Sequence, residues 1–307
     1  KMSKLTHLRR VIALCFFFNA LQTRGVRLHP AVLEWKGNDL ISYDFVRATQ
    51  NLESLKPNST EAITFGKDSS SWDEPYFAVH QTPYGGPSDN YYGLHATMDV
   101  YGHKLKPGQW STAAIWVSHH GDGATSSFNS IQAGWHRDGH EATGCFNMDC
   151  PGFVRANGAA ISPGDAIQPV SDVPHGHIQS ITLRVLKDKK SGDWWVYYGF
   201  NSVPTGVGYF PKSLFTYLAN KANQLAFGGA VVAHRAASTP PMGSGSFPNG
   251  GQGRAASFTN LGIIDEEGNS KPIMADFPTL VTNNKCHSIT PINHAACLYG
   301  GPGGCVR

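Results

Sequence analysis

From Tyr76 onward the chain is built of short runs in which apolar and polar positions alternate, each bounded by Gly, Pro, Asn or Asp. The runs are "YYGLHATMDVYG", "STAAIWVSHH", "SIQAGW" and "IQSITLRVL". A period of two over so few residues predicts strands with one buried face. In the last run Ile181, Leu183 and Val185 point one way, and Thr182 and Arg184 the other. "KDKKSGD" then turns the chain into "WWVYYGF", which completes a hairpin. The lysines of that turn are expected to be solvated. Trp194 and Trp195 alternate across the strand, so one of them at least belongs to the core.

One segment departs from this pattern. Leu214, Leu218, Ala222 and Leu225 recur at helical spacing in "LFTYLANKANQLAF", and Ser213 stands where a cap would. This predicts a single α-helix packed on a sheet. "FGGAVVAH" follows as a strand, and then comes the Gly-rich "PPMGSGSFPNGGQGR". The expected fold is all-β, an antiparallel sandwich of two large sheets with one packed helix. Residues 30–75 are polar, with weak helical periodicity in "LISYDFVRATQNLESL", and read as a short pro-segment or linker before a domain over 76–307.

Composition agrees with many strands and turns. The 307 residues include 34 Gly and 19 Pro, and only 15% are charged. Net charge is +3 and no basic stripe is interleaved with aromatics, so nucleic acid is not the expected partner. The 14 histidines would charge in an acidic compartment.

Residues 1–29 resemble a secretory signal. Lys4, Arg9 and Arg10 precede an apolar run from Val11 to Phe18, too short to span a bilayer. The alternative is a buried strand or helix. No other segment is long and apolar enough for a membrane helix, so no stable membrane anchor is expected. The six cysteines and the sequon at Asn58 fit export, to the extracellular space (apoplast) or a vacuole. Cys145 and Cys150 flank a four-residue loop and are expected to form a structural disulfide.

Three groups of metal-ligand types occur: His119-His120-x-Asp122, His136 with His140 and Glu141, and His175-x-His177. The i, i+4 pair His136/His140 needs a helix, which Gly134, Asp138 and Gly139 oppose. Adjacent histidines on a strand point to opposite faces. No metal and no cofactor is therefore expected. "MGSGSF" around Ser244 lacks the second Gly and the strand-to-helix setting of a nucleophile elbow.

"SIQAGW", "ATGCFNMDCPGFV", "GDWWVYYG", "VGYFPKSLF", "FGGAVV", "MGSGSFPNGG" and "YGGPGGC" occur in the order seen in plant neprosin-domain proteins. The resemblance covers roughly Tyr76 to Arg307. It implies a secreted glutamic endopeptidase that cleaves next to proline, with a groove across one sheet of a β-sandwich. It also implies a disulfide between Cys286 and Cys305, which leaves Cys297 over; Cys286–Cys297 is the other pairing. The family's two glutamates stand in I-E-A-G-W and G-G-E-V. One acts as general base on water; the other donates a proton or steadies the intermediate.

The matching positions here are Gln132 and Ala230. An amide takes up no proton at useful pH, and a methyl offers no polar group. Between Glu74 and Glu266 the only glutamate is Glu141. A rescued acid pair would need Glu141 with an Asp such as Asp138. The segment from Trp135 to Cys145 is also shorter than in the family, and His140 falls where a groove tyrosine usually stands. Trp135, His136 and His140 are the candidate groove residues. The expected function is a catalytically impaired neprosin-like binding or regulatory module for a peptide, with proline-rich sequence one class, or a glycan. An active acid endopeptidase with a relocated acid pair and a lectin-like sandwich are the alternatives.

Overall fold

The structure is a computed structural model that describes residues 12–20, 74–83, 90–107, 109–122, 128–138, 152–172, 177–233 and 236–306. Sixteen strands follow one another among the described residues. They are β1 (Ile12–Ala20), β2 (Glu74–Gln81), β3 (Gly93–Asp99), β4 (Trp110–His119), β5 (Asn129–Asp138), β6 (Val154–Arg155), β7 (Ala166–Ile167) and β8 (Ser180–Lys187). Then come β9 (Trp194–Phe200), β10 (Thr205–Phe210), β11 (Gln224–Ala233), β12 (Ala256–Ile264), β13 (Ser270–Pro272), β14 (Thr279–Val281), β15 (Ser288–Ile289) and β16 (Cys297–Gly300). They form two antiparallel sheets. One has the order β14-β2-β11-β4-β5-β1-β7; the other runs β15-β16-β12-β3-β8-β9-β10-β6, with β13 on β12.

The alternation seen in the sequence sets the core. Leu94, Ala96 and Met98 of β3, and Ile181, Leu183 and Val185 of β8, are fully buried. They belong to one apolar cluster with Ala113, Ile115 and Val117 of β4 and with Ile131, Ala133 and Trp135 of β5. Thr182 and Arg184 are only half-buried, as the period predicts. The β8–β9 hairpin closes with Lys187 opposite Trp194. Trp194 is the core member of the tryptophan pair; its Nε1 donates to the Leu218 carbonyl at 2.9 Å.

The expected helix is absent. Over its span lie a 3-10 turn at Lys212–Leu214, a loop, and the start of β11. Phe215 is already extended at φ −110° and ψ 152°. The amides a helix would pair internally are taken elsewhere: Asn129 Oδ1 accepts from the N–H of Thr216 at 3.0 Å and of Leu218 at 3.3 Å. All ten residues of β11 are buried. A strand buried on both faces has no period of two, so its first apolar residues continued the helical spacing by coincidence. Among the described residues there is no α-helix, and no helix is long and apolar enough to cross a membrane.

The apolar N-terminal run forms β1, which pairs with β5 from Ala13 opposite His136 to Ala20 opposite Asn129. Cys286 and Cys305 are bonded, with Cα atoms 5.9 Å apart, and Cys297 is a free buried thiol. Burial raises its pKa, so it stays a neutral core side chain.

Candidate functional site

Gln132 lies on β5 and Ala230 on β11, with β4 between them. The register places both on one face. Gln132 pairs with Trp116, which pairs with Ala226; Ala230 pairs with Thr112, which pairs with His136. Paired residues share a face, and every second residue returns to it. The face therefore runs in five rows across β5, β4 and β11: Ser130–Ser118–Gln224, Gln132–Trp116–Ala226, Gly134–Ala114–Gly228, His136–Thr112–Ala230 and Asp138–Trp110–Val232. It looks away from the other sheet, because the inter-sheet core takes Ala113, Ile115, Ala133 and Trp135.

The middle row is a floor of the smallest side chains. A Cβ on Gly134 would fall 2.1 Å from the Ala113 carbonyl oxygen, and one on Gly228 2.4 Å from that of Ala78. Glycine is required at both places by the close approach of the neighbouring strand. Gln132 and Ala230 stand on opposite sides of this floor. Two strand spacings across and four residues along put their Cα atoms roughly 16 Å apart.

Gln132, His136, Thr112, Trp116 and Ala230 are all buried. Ala230 belongs to an apolar cluster with Phe77, Ala226 and Val232. The Thr112 hydroxyl donates to the Trp135 carbonyl at 2.5 Å, so it is already engaged. The His136 ring lies 5.2 Å from the Trp110 ring. At one end the Ser118 and Ser130 hydroxyls meet at 2.8 Å, and His120 Nε2 contacts Gln224 Oε1 at 2.9 Å. Burial pushes the His120 imidazole down to about 4. The register puts Asp138, at the end of β5, on this face beyond His136; no other Asp or Glu of β4, β5 or β11 shares it.

Trp135 is not a groove residue. Its odd position turns it inward, it is fully buried, and its Nε1 donates to the Asp99 carbonyl at 2.8 Å. A tryptophan next to a glycine looks exposed in a sequence motif, yet the period of two sends it to the core. His136, two rows from Gln132, is on the expected face. Asp138 ends β5 opposite Trp110. His140, Glu141, Cys145, Cys150, His175 and Asn58 lie outside the described residues. His119 and His120 are used separately. His119 Nδ1 accepts from the Gly121 N–H at 2.9 Å and its ring stacks on Tyr217. No group of three metal-ligand residues comes together among the described residues. Ser244 Oγ accepts from the Ser246 N–H at 3.2 Å, a turn-stabilising contact.

A buried carboxylate lies in the other sheet at Asp99, whose backbone carbonyl accepts from Trp135 Nε1. The carboxylate accepts from the Ser257 N–H at 2.8 Å and the Ser257 hydroxyl at 2.9 Å. Burial still outweighs these bonds and raises its pKa. Thr112 and Trp116 were not singled out in the sequence. The run "STAAIWVSHH" is apolar at nearly every position, so its two faces are indistinguishable until the partner strands are known.

Two antiparallel sheets not closed into a barrel, with a small-residue floor crossing the outer face of one, define an all-β sandwich. A family model described as Neprosin matches residues 107–302, well over half of the chain and every strand from β4 to β16. The chain belongs to the Neprosin family.

Proposed function

We propose that this protein is a neprosin-like module that lacks the two-carboxylate peptidase chemistry and acts by binding. The observation behind this reading is the outer face of the seven-stranded sheet. The positions that correspond to the family's paired glutamates hold an amide at 132 and a methyl at 230. Asp138 is the one acidic residue that the register of β4, β5 and β11 puts on that face, and no second acidic residue of these strands shares it to form a carboxyl pair. Water activation by a general base and proton donation by a second carboxyl each contribute about 10²–10⁴-fold, and such groups fail as a unit. A peptide is the proposed ligand class, as the family resemblance implies; Ala114 in the floor is fully buried, so the face must open to admit it. Export to an extracellular or vacuolar space is part of the same proposal.

The test is turnover of a proline-containing peptide by the purified protein between pH 3 and pH 7. No cleavage is expected from the wild type, while binding of the intact peptide is retained. Cleavage that disappears in Glu141→Gln would overturn the reading and establish a relocated acid pair. In the Gln132→Glu/Ala230→Glu double variant, recovered cleavage would show that the rest of the groove is intact.

A further inference from the structure

The turn between β8 and β9 was expected to carry solvated lysines; Lys189 and Lys190 are exposed there, but Lys187 is half-buried and Lys212, from beyond β10, is brought beside it. An open cavity of about 620 Å³ lies there, walled by Lys187, Lys189, Lys190 and Lys212, with Tyr92 and Phe215 as its ring-bearing sides. That volume is within the usual range for small-ligand sites, roughly 300–1,000 Å³. Lys187 and Lys212 converge at Gly192. A Cβ on Gly192, whose φ is +80°, would lie 3.1 Å from Lys187 Nζ and 3.5 Å from Lys212 Nζ. Both ammonium groups therefore stand over the same bare stretch of backbone.

Lys187 is half-buried. Its ammonium donates to the Gly192 carbonyl and sits 5.9 Å over the Trp194 ring. Burial first, and then repulsion from Lys212, lower its pKa, while Asp193 and Asp188 act the other way. Among the described residues neither lysine has a carboxylate within 4.0 Å. The two carboxylates that line the cavity are engaged elsewhere. Asp188 accepts from the N–H groups of Lys190 and Ser191 at 3.0 and 2.7 Å, and Glu266 bonds Tyr92. Four ammonium groups against two carboxylates leave the cavity positive.

We propose that this cavity is an oxyanion site, with Lys187 and Lys212 as a paired clamp over Gly192. An anion held between the two would remove their mutual repulsion and supply the charge partner that the fold does not. The space beyond the clamp admits more than a bare ion, so the oxyanion is either free phosphate or a carboxylate carried on a sugar. This inference does not rest on the reading of Gln132 and Ala230.

The experiment is isothermal titration of the full chain at low ionic strength, with inorganic phosphate and with a tri-uronate as separate probes. Saturable binding of at least one probe is expected. It should weaken about tenfold in Lys187→Gln and in Lys212→Gln, the worth of one charge-assisted hydrogen bond, and fall as salt is added. Lys271→Gln, an exposed lysine elsewhere, should bind as the wild type does. Binding of phosphate alone assigns free phosphate; of tri-uronate alone, a carboxylated saccharide; of both, the shared oxyanion chemistry. Lys212 is exposed, so its variant should leave the circular dichroism spectrum unchanged. Absence of binding by both probes overturns the proposal, as does binding that neither lysine variant weakens.

Discussion

Gln132 and Ala230 share a face of the seven-stranded sheet but not a row: position 132 is level with Ala226, and position 230 with His136. Their surroundings differ accordingly. Ala230 is 1% exposed, among Phe77, Ala226 and Val232, whereas Gln132 is 7% exposed and already places a polar amide there. A carboxyl group introduced at 230 would be both oversized and poorly solvated. Ala230→Glu should therefore cost about 1–3 kcal/mol from overpacking alone, and more when the carboxyl ionises. Burial would raise the folded-state pKa of that glutamate. Its penalty is then smallest below the ordinary carboxylate pKa and grows as pH rises through the folded value. Melting temperatures at pH 4 and pH 7 check this, with the larger deficit expected at pH 7. Gln132→Glu, an isosteric change, should show a smaller deficit at both.

Trp135 contributes to stability and not to ligand contact. Its indole N–H is bound to the Asp99 carbonyl, which ties β5 to the opposite sheet. Trp135→Phe keeps a large ring but leaves that buried carbonyl without its donor. A loss of about 1–3 kcal/mol is expected by denaturant unfolding. Peptide or glycan binding on the outer face should be unchanged in the variant that remains folded.

Strand positions were readable wherever one face was buried and the other half-exposed. β3, β8 and β9 follow their alternation closely, because polar residues such as Thr182 and Arg184 mark the outer side. β4 and β11 are different. Both faces are covered, so polarity carries no record of which residues share a face with Gln132. The helix expected at 214–227 failed for the same reason at its end, where the buried Leu225–Phe227 run belongs to a strand. Gln132 and Ala230 were legible as positions, but their row offset was not, since register is a property of partner strands. The lysine clamp was hidden too. A Lys-rich turn looks solvated in any sequence, and only the return of Lys212 over Gly192 distinguishes it.

Asn129 holds the loop that replaces the expected helix. Its Oδ1 accepts from the Thr216 N–H, the Thr216 hydroxyl at 2.8 Å and the Leu218 N–H. Its Nδ2 donates to the Phe128 carbonyl at 3.1 Å. Asn129→Ala removes an acceptor that three donors share in a largely buried position. The expected cost is about 2–3 kcal/mol, seen as a lower denaturant midpoint. Faster amide hydrogen exchange at Thr216 and Leu218 should accompany it, because those N–H groups lose their partner.

His287 should make the fold sensitive to acid. The ring is fully buried, and its Nε2 donates to the Pro240 carbonyl at 3.3 Å. Nδ1 has no hydrogen-bond partner, so a proton added there meets no acceptor. Burial, only partly offset by the Pro240 contact, lowers the pKa from 6.5 to about 4. A histidine with a depressed folded pKa binds its proton more readily when unfolded. Its contribution is therefore fully present above pH 6.5 and is lost as pH falls towards 4, by on the order of 3 kcal/mol in all. His120, also lowered to about 4, adds in the same direction. Asp99 opposes both: its raised pKa gives a contribution present at low pH that is lost as pH rises through the folded value. His287→Phe removes one of these acid-labile groups. Unfolding free energies measured from pH 7 to pH 4 should fall less steeply in the variant than in the wild type. The variant should be slightly less stable at pH 7, where it lacks the Pro240 hydrogen bond, and the two curves should cross before pH 4. Parallel curves would show that the imidazole stays neutral throughout or finds water when the fold loosens.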